Sequence, residues 1–193
     1  MSPASTGPVP LATAAQTREL GRRLGALLHA GDLVLLTGEL GAGKTTLAQG
    51  IAEGLRVRGP VTSPTFVIAR VHPSLCGGPQ LVHVDAYRLS GLEELDDLDL
   101  DADLADSVTV VEWGQGVAEQ LAPDRVEVLL SRSPSDDPQA QERTVEVLAA
   151  GPRWDGARRS GLAEVLAGLA PLAEPDPADR DPGQHDRAVG RSR

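Results

Sequence analysis

The chain of 193 residues is poor in three residue types: it has one Cys, one Lys, and only four aromatic residues counted over Phe, Trp and Tyr. A lone Cys76 excludes an internal disulfide and a cysteine-based zinc cage, and it suits a reducing compartment. With aromatics at 2 %, the core has to be built from Leu, Val, Ile and Ala, and a surface that stacks nucleic-acid bases is not expected. Positive charge is also short: the formal net charge is -10, so the molecule as a whole repels a polyanion. No run approaches the ~18 apolar residues of a membrane span. Met1 to Gln16 carries neither a basic leader nor an apolar stretch of signal-peptide length. A cytoplasmic protein with no membrane contact is the expectation.

The length suits one hydrophobic core without metal or disulfide staples. Residues 1–12 are small and proline-broken and read as a flexible arm. From Thr13, Leu20, Leu24, Leu27 and Leu28 recur at helical spacing up to Gly31. Leu33 to Thr37 is a continuous apolar run of the kind buried on both faces of a sheet, and helical spacing resumes over Thr46 to Leu55. Val61 to Pro64 reads as a loop, Phe66 to Val71 as a strand, and Leu81 to Asp85 as its hairpin partner. Gly91 to Asp106, with five leucines among eight acids, reads as mostly helical, and Val108 to Glu112 as another buried strand. Arg125 to Ser131 and Arg143 to Ala149 read as antiparallel neighbours. Residues 13–150 are therefore expected to form the α/β domain. Residues 151–193 are expected to be a C-terminal extension, a short helix near Ala157 to Leu169 followed by disorder.

Gly38-Glu39-Leu40-Gly41-Ala42-Gly43-Lys44-Thr45 fits G-x-x-x-x-G-K-[ST] at every position and lies between the apolar run and the helix. Glycines let the backbone curl so that successive N–H groups face phosphates, Lys44 neutralises their charge, and the Thr45 hydroxyl can ligate Mg²⁺. Every other of the 18 basic side chains is arginine, a bias that suits GC-rich coding. The single lysine stands where a compact ammonium is needed and a planar guanidinium is a poor replacement. The same scarcity excludes a guanine-reading Asn-Lys-x-Asp motif, which leaves ATP as the default nucleotide. No G-x-S-x-G elbow is present.

Hydrolysis further requires an acid at a strand end to hold Mg²⁺ or orient water. Asp85 and Glu112 both follow apolar runs, although an acid that merely ends a strand would look the same. The acidic stretch Glu93 to Asp106 lacks the glycine and the twelfth-position Glu of a calcium loop, and reads as a solvated face or partner surface. His72, Cys76, His83 and Asp85 lie close in sequence but make a poor zinc set in a Gly- and Pro-rich loop.

Together, Gly38 to Thr46, Ser63-Pro64-Thr65-Phe66, His83-Val84-Asp85-Ala86-Tyr87-Arg88-Leu89 and Val111-Glu112-Trp113 resemble the TsaE family, the small P-loop ATPases of bacterial tRNA threonylcarbamoyladenosine synthesis. The likeness runs from about Thr13 to Leu130. Gln16-Thr17 is similar to the family's Glu-x-x-Thr opening, while Ala14 stands where an acid is usual. The resemblance implies a P-loop NTPase-like, three-layer α/β domain with a mixed parallel and antiparallel sheet. It implies ATP and Mg²⁺ as cofactors, with phosphates on Gly38 to Thr46, Thr45 and Glu112 on the metal, and Lys44, Asp85 and Glu112 as the catalytic set. Thr17, Ser63, Thr65 and Trp113 would be switch or partner positions. The implied partners are TsaB and TsaD, with tRNA reached only through them. The competing reading from the residues is a small-molecule P-loop kinase with Asp85 as base, but the arginine-bearing lid of such enzymes has no counterpart between Asp85 and Arg125, where Arg88 stands alone.

Overall fold

The computed structural model describes residues 4–5, 7–65, 67–88, 105–116, 118–132 and 142–169. In chain order the elements are β1 (Ala4–Ser5), β2 (Val9–Leu11), α1 (Ala14–Leu27), β3 (Asp32–Thr37), α2 (Lys44–Leu55), β4 (Ala69–His72) and β5 (Gln80–Asp85). They continue with β6 (Ser107–Glu112), β7 (Arg125–Arg132), β8 (Arg143–Ala150) and α3 (Ala157–Ala167). All eight strands form one sheet in the order β1-β8-β7-β3-β6-β5-β4, with β2 also on β8. The centre is parallel, β7, β3, β6 and β5, and the outer pairs β4 with β5 and β7 with β8 are antiparallel. This is the mixed-sheet α/β fold expected from the sequence.

The continuous apolar runs become the strands buried on both faces: every residue of β6 is buried, as are Asp32 to Leu36 of β3. β7 and β8, which pair antiparallel with each other, instead alternate buried and half-buried positions over most of their length, with one face of each covered. The helices α1, α2 and α3 share one face through Leu20, Leu24, Leu47, Ile51 and Leu162, while Leu33, Leu35, Val82 and Val84 form a smaller cluster on the other. α1 and α2 are in backbone contact. A Cβ on Gly21 would lie 2.3 Å from the Leu47 carbonyl oxygen, and one on Gly50 would lie 2.1 Å from that of Arg18. The helix that carries the first phosphate-loop turn is thus pressed onto its neighbour by residues that have no side chain.

Several expectations are corrected. The hairpin strand begins at Ala69 and not at Phe66, because Val67 and Ile68 both donate to the Pro64 carbonyl and Ile68 turns to φ 68°, which ends any extended run there. Residues 1–12, expected as an arm, contain β1 and β2, which pair with β8 and bury Leu11. Pro10 is tolerated because β2 is bonded on one side only. The proposed helix over Gly91 to Asp106 falls largely outside the described residues. No helix among the described residues is long and apolar enough to cross a membrane.

Beyond β8, Trp154 is fully buried in the main core and α3 packs on α1. This region also supplies the counter-charges for Asp32, a carboxylate with no exposure at the start of β3. Asp32 Oδ1 accepts from Arg153 Nε at 2.9 Å and Arg158 Nη1 at 3.0 Å, Oδ2 accepts from the His29 amide at 2.7 Å, and Arg158 Nη2 closes the pair. A buried carboxylate is tolerable only when so compensated. Arg158→Ala should therefore lower the unfolding free energy by about 3 kcal/mol in chemical denaturation; a change within experimental error would mean that Asp32 does not depend on α3.

Candidate functional site

Four sequence segments converge at the C-terminal edge of the parallel strands. The loop between β3 and α2 is the G-x-x-x-x-G-K-T segment, and its glycines are required by geometry. Gly41 has φ 78° and Gly43 φ 105°, both in the left-handed region. A Cβ on Gly38 would lie 2.2 Å from the Leu130 carbonyl oxygen. Gly43 caps α2, so the free N–H groups of the first helical turn face the cleft beside Lys44, Thr45 and Thr46. The cleft holds about 340 Å³ and is lined from the loop by Leu40, Gly41 and Gly43, and from other elements by Ser63, Thr65, Asp85, Glu112, Trp113 and Arg143.

Strand register assembles the acids. Glu112 at the end of β6 pairs with Leu36 of β3 on one side and with Asp85 of β5 on the other. Thr45 Oγ1 lies 3.0 Å from Glu112 Oε1 and 3.1 Å from Oε2, to which it donates. Asp85 is buried, and its Oδ2 accepts from Ser63 Oγ at 2.9 Å and from the Thr65 hydroxyl, while Oδ1 accepts from the Tyr87 amide at 3.1 Å. Ser63 and Thr65 are also within 2.6 Å of each other. The loop after α2 is thereby tied to the end of β5.

Lys44 is buried, and its Nζ donates to the Gly38 carbonyl at 2.7 Å and the Glu39 carbonyl at 3.0 Å, 3.6 Å from the centre of the Trp113 ring. Burial pushes its pKa down, opposed by the charges of Glu112, Asp85 and Glu39. Trp113 adopts φ 62°, rare for a bulky residue, with its amide donating to the Leu36 carbonyl. Tyr87, exposed, meets it edge to face at 5.2 Å.

Of the sequence-derived set, Leu40, Gly41, Gly43 to Thr46, Ser63, Thr65, Asp85, Glu112 and Trp113 line this one cleft, while Gly38 and Glu39 line a second hollow with Trp113 and Ala42 is buried. Thr17 is not in the cleft: it lies on α1, fully buried, with its hydroxyl on the Thr13 carbonyl at 3.3 Å and its methyl facing Gly43 from behind. Two residues to which the sequence assigns no role beside the phosphate loop do reach the site. Arg143, at the start of β8, donates Nε to the Ala42 carbonyl at 3.0 Å and lines both the cleft and a mostly apolar pocket of about 300 Å³ whose other walls include Val9, Pro10, Leu11, Ala12, Gln16 and Glu142. Its signal was absent because 101 residues of chain separate it from Ala42. His83 is fully buried with Nε2 at 2.9 Å from Glu112 Oε1.

An ion fits this donor set. Two oxygen donors, a hydroxyl and a carboxylate, already lie side by side next to a curled run of N–H groups, a set that suits a hard divalent cation and the phosphates it accompanies. Gly38→Ala should remove nucleotide binding altogether, because the added methyl displaces the loop from Leu130; unchanged binding of a fluorescent nucleotide would show that the loop does not form the site.

Comparison with known proteins agrees on identity. The sequence profile of the family described as threonylcarbamoyl adenosine biosynthesis protein TsaE matches residues 11–144. The chain is 63 % identical over 147 residues to the tRNA threonylcarbamoyladenosine biosynthesis protein TsaE of Streptomyces coelicolor, covering 76 % of this chain and 99 % of that protein. It is 56 % identical over 128 residues to the protein of that name from Mycobacterium tuberculosis, covering 63 % and 76 %. It is 36 % identical over 141 residues to the one from Bacillus subtilis, covering 72 % and 84 %. The crystal structure of YdiB from Bacillus subtilis superposes with a TM-score of 0.63 at 28 % identity, covering 87 % of this chain and 97 % of that one.

Proposed function

The chain belongs to the TsaE family of tRNA threonylcarbamoyladenosine biosynthesis, and from that membership and the cleft geometry we propose that it is a Mg²⁺-dependent ATPase acting with TsaB and TsaD in the cytoplasm. The observation that carries the reading is the contact of Thr45 with both oxygens of Glu112, beside a complete phosphate loop. The phosphates of ATP lie on the N–H groups of Gly41 to Thr46. Thr45 and Glu112 hold Mg²⁺, which when bound neutralises phosphate charge and polarises the transferring group. Lys44 must first leave the Gly38 and Glu39 carbonyls, and an ammonium already partly desolvated by burial exchanges them for phosphate oxygens with little further loss of hydration. The adenine ring enters the apolar pocket beyond Arg143.

Asp85 orients water through its free acceptor capacity. Ser63 and Thr65 now occupy its Oδ2, so nucleotide that draws these hydroxyls away both frees Asp85 and moves the loop. That movement, with exposed Tyr87 and Leu40 at the rim, gives TsaB and TsaD a surface that depends on nucleotide state. Transfer RNA is reached only through TsaD, in keeping with the net charge of -10.

ATP hydrolysis by the full chain should be slow alone and stimulated by TsaB and TsaD together. Lys44→Ala, Asp85→Ala and Glu112→Ala should each lower the stimulated rate by roughly a hundredfold or more. Full activity in Lys44→Ala would overturn the proposal, and phosphate transfer that requires a small-molecule acceptor would make the protein a kinase instead.

A further inference from the structure

His83 has no part in the function proposed above, yet it is one of the most completely buried polar groups in the molecule. It sits on β5 between Arg70 of β4 and Val110 of β6, two residues before Asp85 and on the same face. From there it reaches Glu112 diagonally, across the strand pair that aligns Asp85 with Glu112. Its Nε2 lies 2.9 Å from Glu112 Oε1. The Thr45 hydroxyl shares its single hydrogen between the two oxygens of Glu112, which accept it, and a carboxylate oxygen in that role accepts from Nε2 as well, so Nε2 carries the hydrogen. The other ring nitrogen, Nδ1, is buried with no hydrogen-bond partner among the described residues. The imidazole therefore makes one directed polar contact, and that contact is to the proposed metal ligand.

The physical need for it is clear. Glu112 is 2 % exposed, and a carboxylate so far from water turns toward any available donor unless its orientation is fixed. Thr45 alone cannot fix it, because the Thr45 hydroxyl oxygen is itself required by the ion. A donor rooted in the rigid neighbouring strand holds Oε1 in place while Thr45 exchanges partners. We propose that His83 is a positioning residue for Mg²⁺: by holding Oε1 of Glu112 it orients the carboxylate toward Thr45 and so sets the affinity of the nucleotide site for the ion. This rests on the reading of Thr45 and Glu112 as the Mg²⁺ ligands. Outer partners of metal ligands commonly change metal affinity by about 10- to 100-fold when removed.

The test uses the full chain and a fluorescent ADP, with binding measured in EDTA and across a Mg²⁺ titration, and folding checked by thermal melting. His83→Leu should leave binding in EDTA within about twofold of wild type and raise the Mg²⁺ half-saturation by about 10- to 100-fold. His83→Gln, whose amide nitrogen reaches the position of Nε2, should restore it to within about threefold, a rescue that loss of packing alone would not give. Should the leucine variant fail to fold, His83→Asn serves in its place: its amide ends short of Oε1, so it should show the same rise. A folded His83→Leu or His83→Asn protein with the wild-type Mg²⁺ midpoint would overturn the proposal, as would equal losses in the glutamine and asparagine variants. If wild-type binding itself proved independent of Mg²⁺, the error would lie in the assignment of the metal ligands.

Discussion

The parallel pairing of β6 between β3 and β5 is the constraint on which the site depends. It fixes Glu112 level with Leu36 and Asp85, so the proposed metal ligand stands on the strand next to the one that launches the phosphate loop and directly beside the second acid. Side-chain hydrogen bonds then close what the backbone has aligned: Thr45 at the start of α2 bonds Glu112 at the end of β6, and Ser63 and Thr65 of the loop before β4 bond Asp85 at the end of β5. A slip of one residue in β6 would turn Glu112 to the opposite face of the sheet and leave the loop without an acid.

The two ends of β3 are held by opposite means. At its C-terminal end lies the glycine loop, whose curled backbone allows close approach and exchange of partners. At its N-terminal end Asp32 is locked by Arg153, Arg158 and the His29 amide. Under the proposed function, this anchoring would let binding energy move the loops after β3 and α2 without dragging the strand. The glycine contacts between α1 and α2 press the helix that follows the loop directly onto its neighbour.

Much of this was legible in the sequence because the signals are local. The strand, glycine loop and helix around Lys44, the acids that end β5 and β6, and the antiparallel pair β7 with β8 are all written in contiguous segments. The hairpin strand starts later than the apolar run suggests because Pro64 gathers the amides of Val67 and Ile68, a turn that apolar side chains disguise as extended chain. Val9 to Leu11 looked unstructured because three residues with a proline carry no periodicity; only β8 makes them a strand. Arg143, His83 and the Asp32 cluster were missed for one reason. Each acts on a partner far along the chain, 101 residues in the case of Ala42 and 121 in that of Arg153, and no spacing rule links them. His83 stands in the sequence within the family-like segment His83 to Leu89 and in a poor zinc set, neither of which reveals that its ring contacts a carboxylate.

The two tryptophans permit a direct measurement of the central claim, that Lys44 leaves the loop carbonyls to take up nucleotide phosphate. Trp154 is buried in the core, and Trp113 lies under the Lys44 ammonium at 3.6 Å. In a Trp154→Phe protein, titration with ATP and Mg²⁺ should produce a saturable change in Trp113 fluorescence as the cation departs from the ring, and Lys44→Ala in the same background should abolish it. Fluorescence that stays constant while a separate assay shows ATP bound would contradict the account.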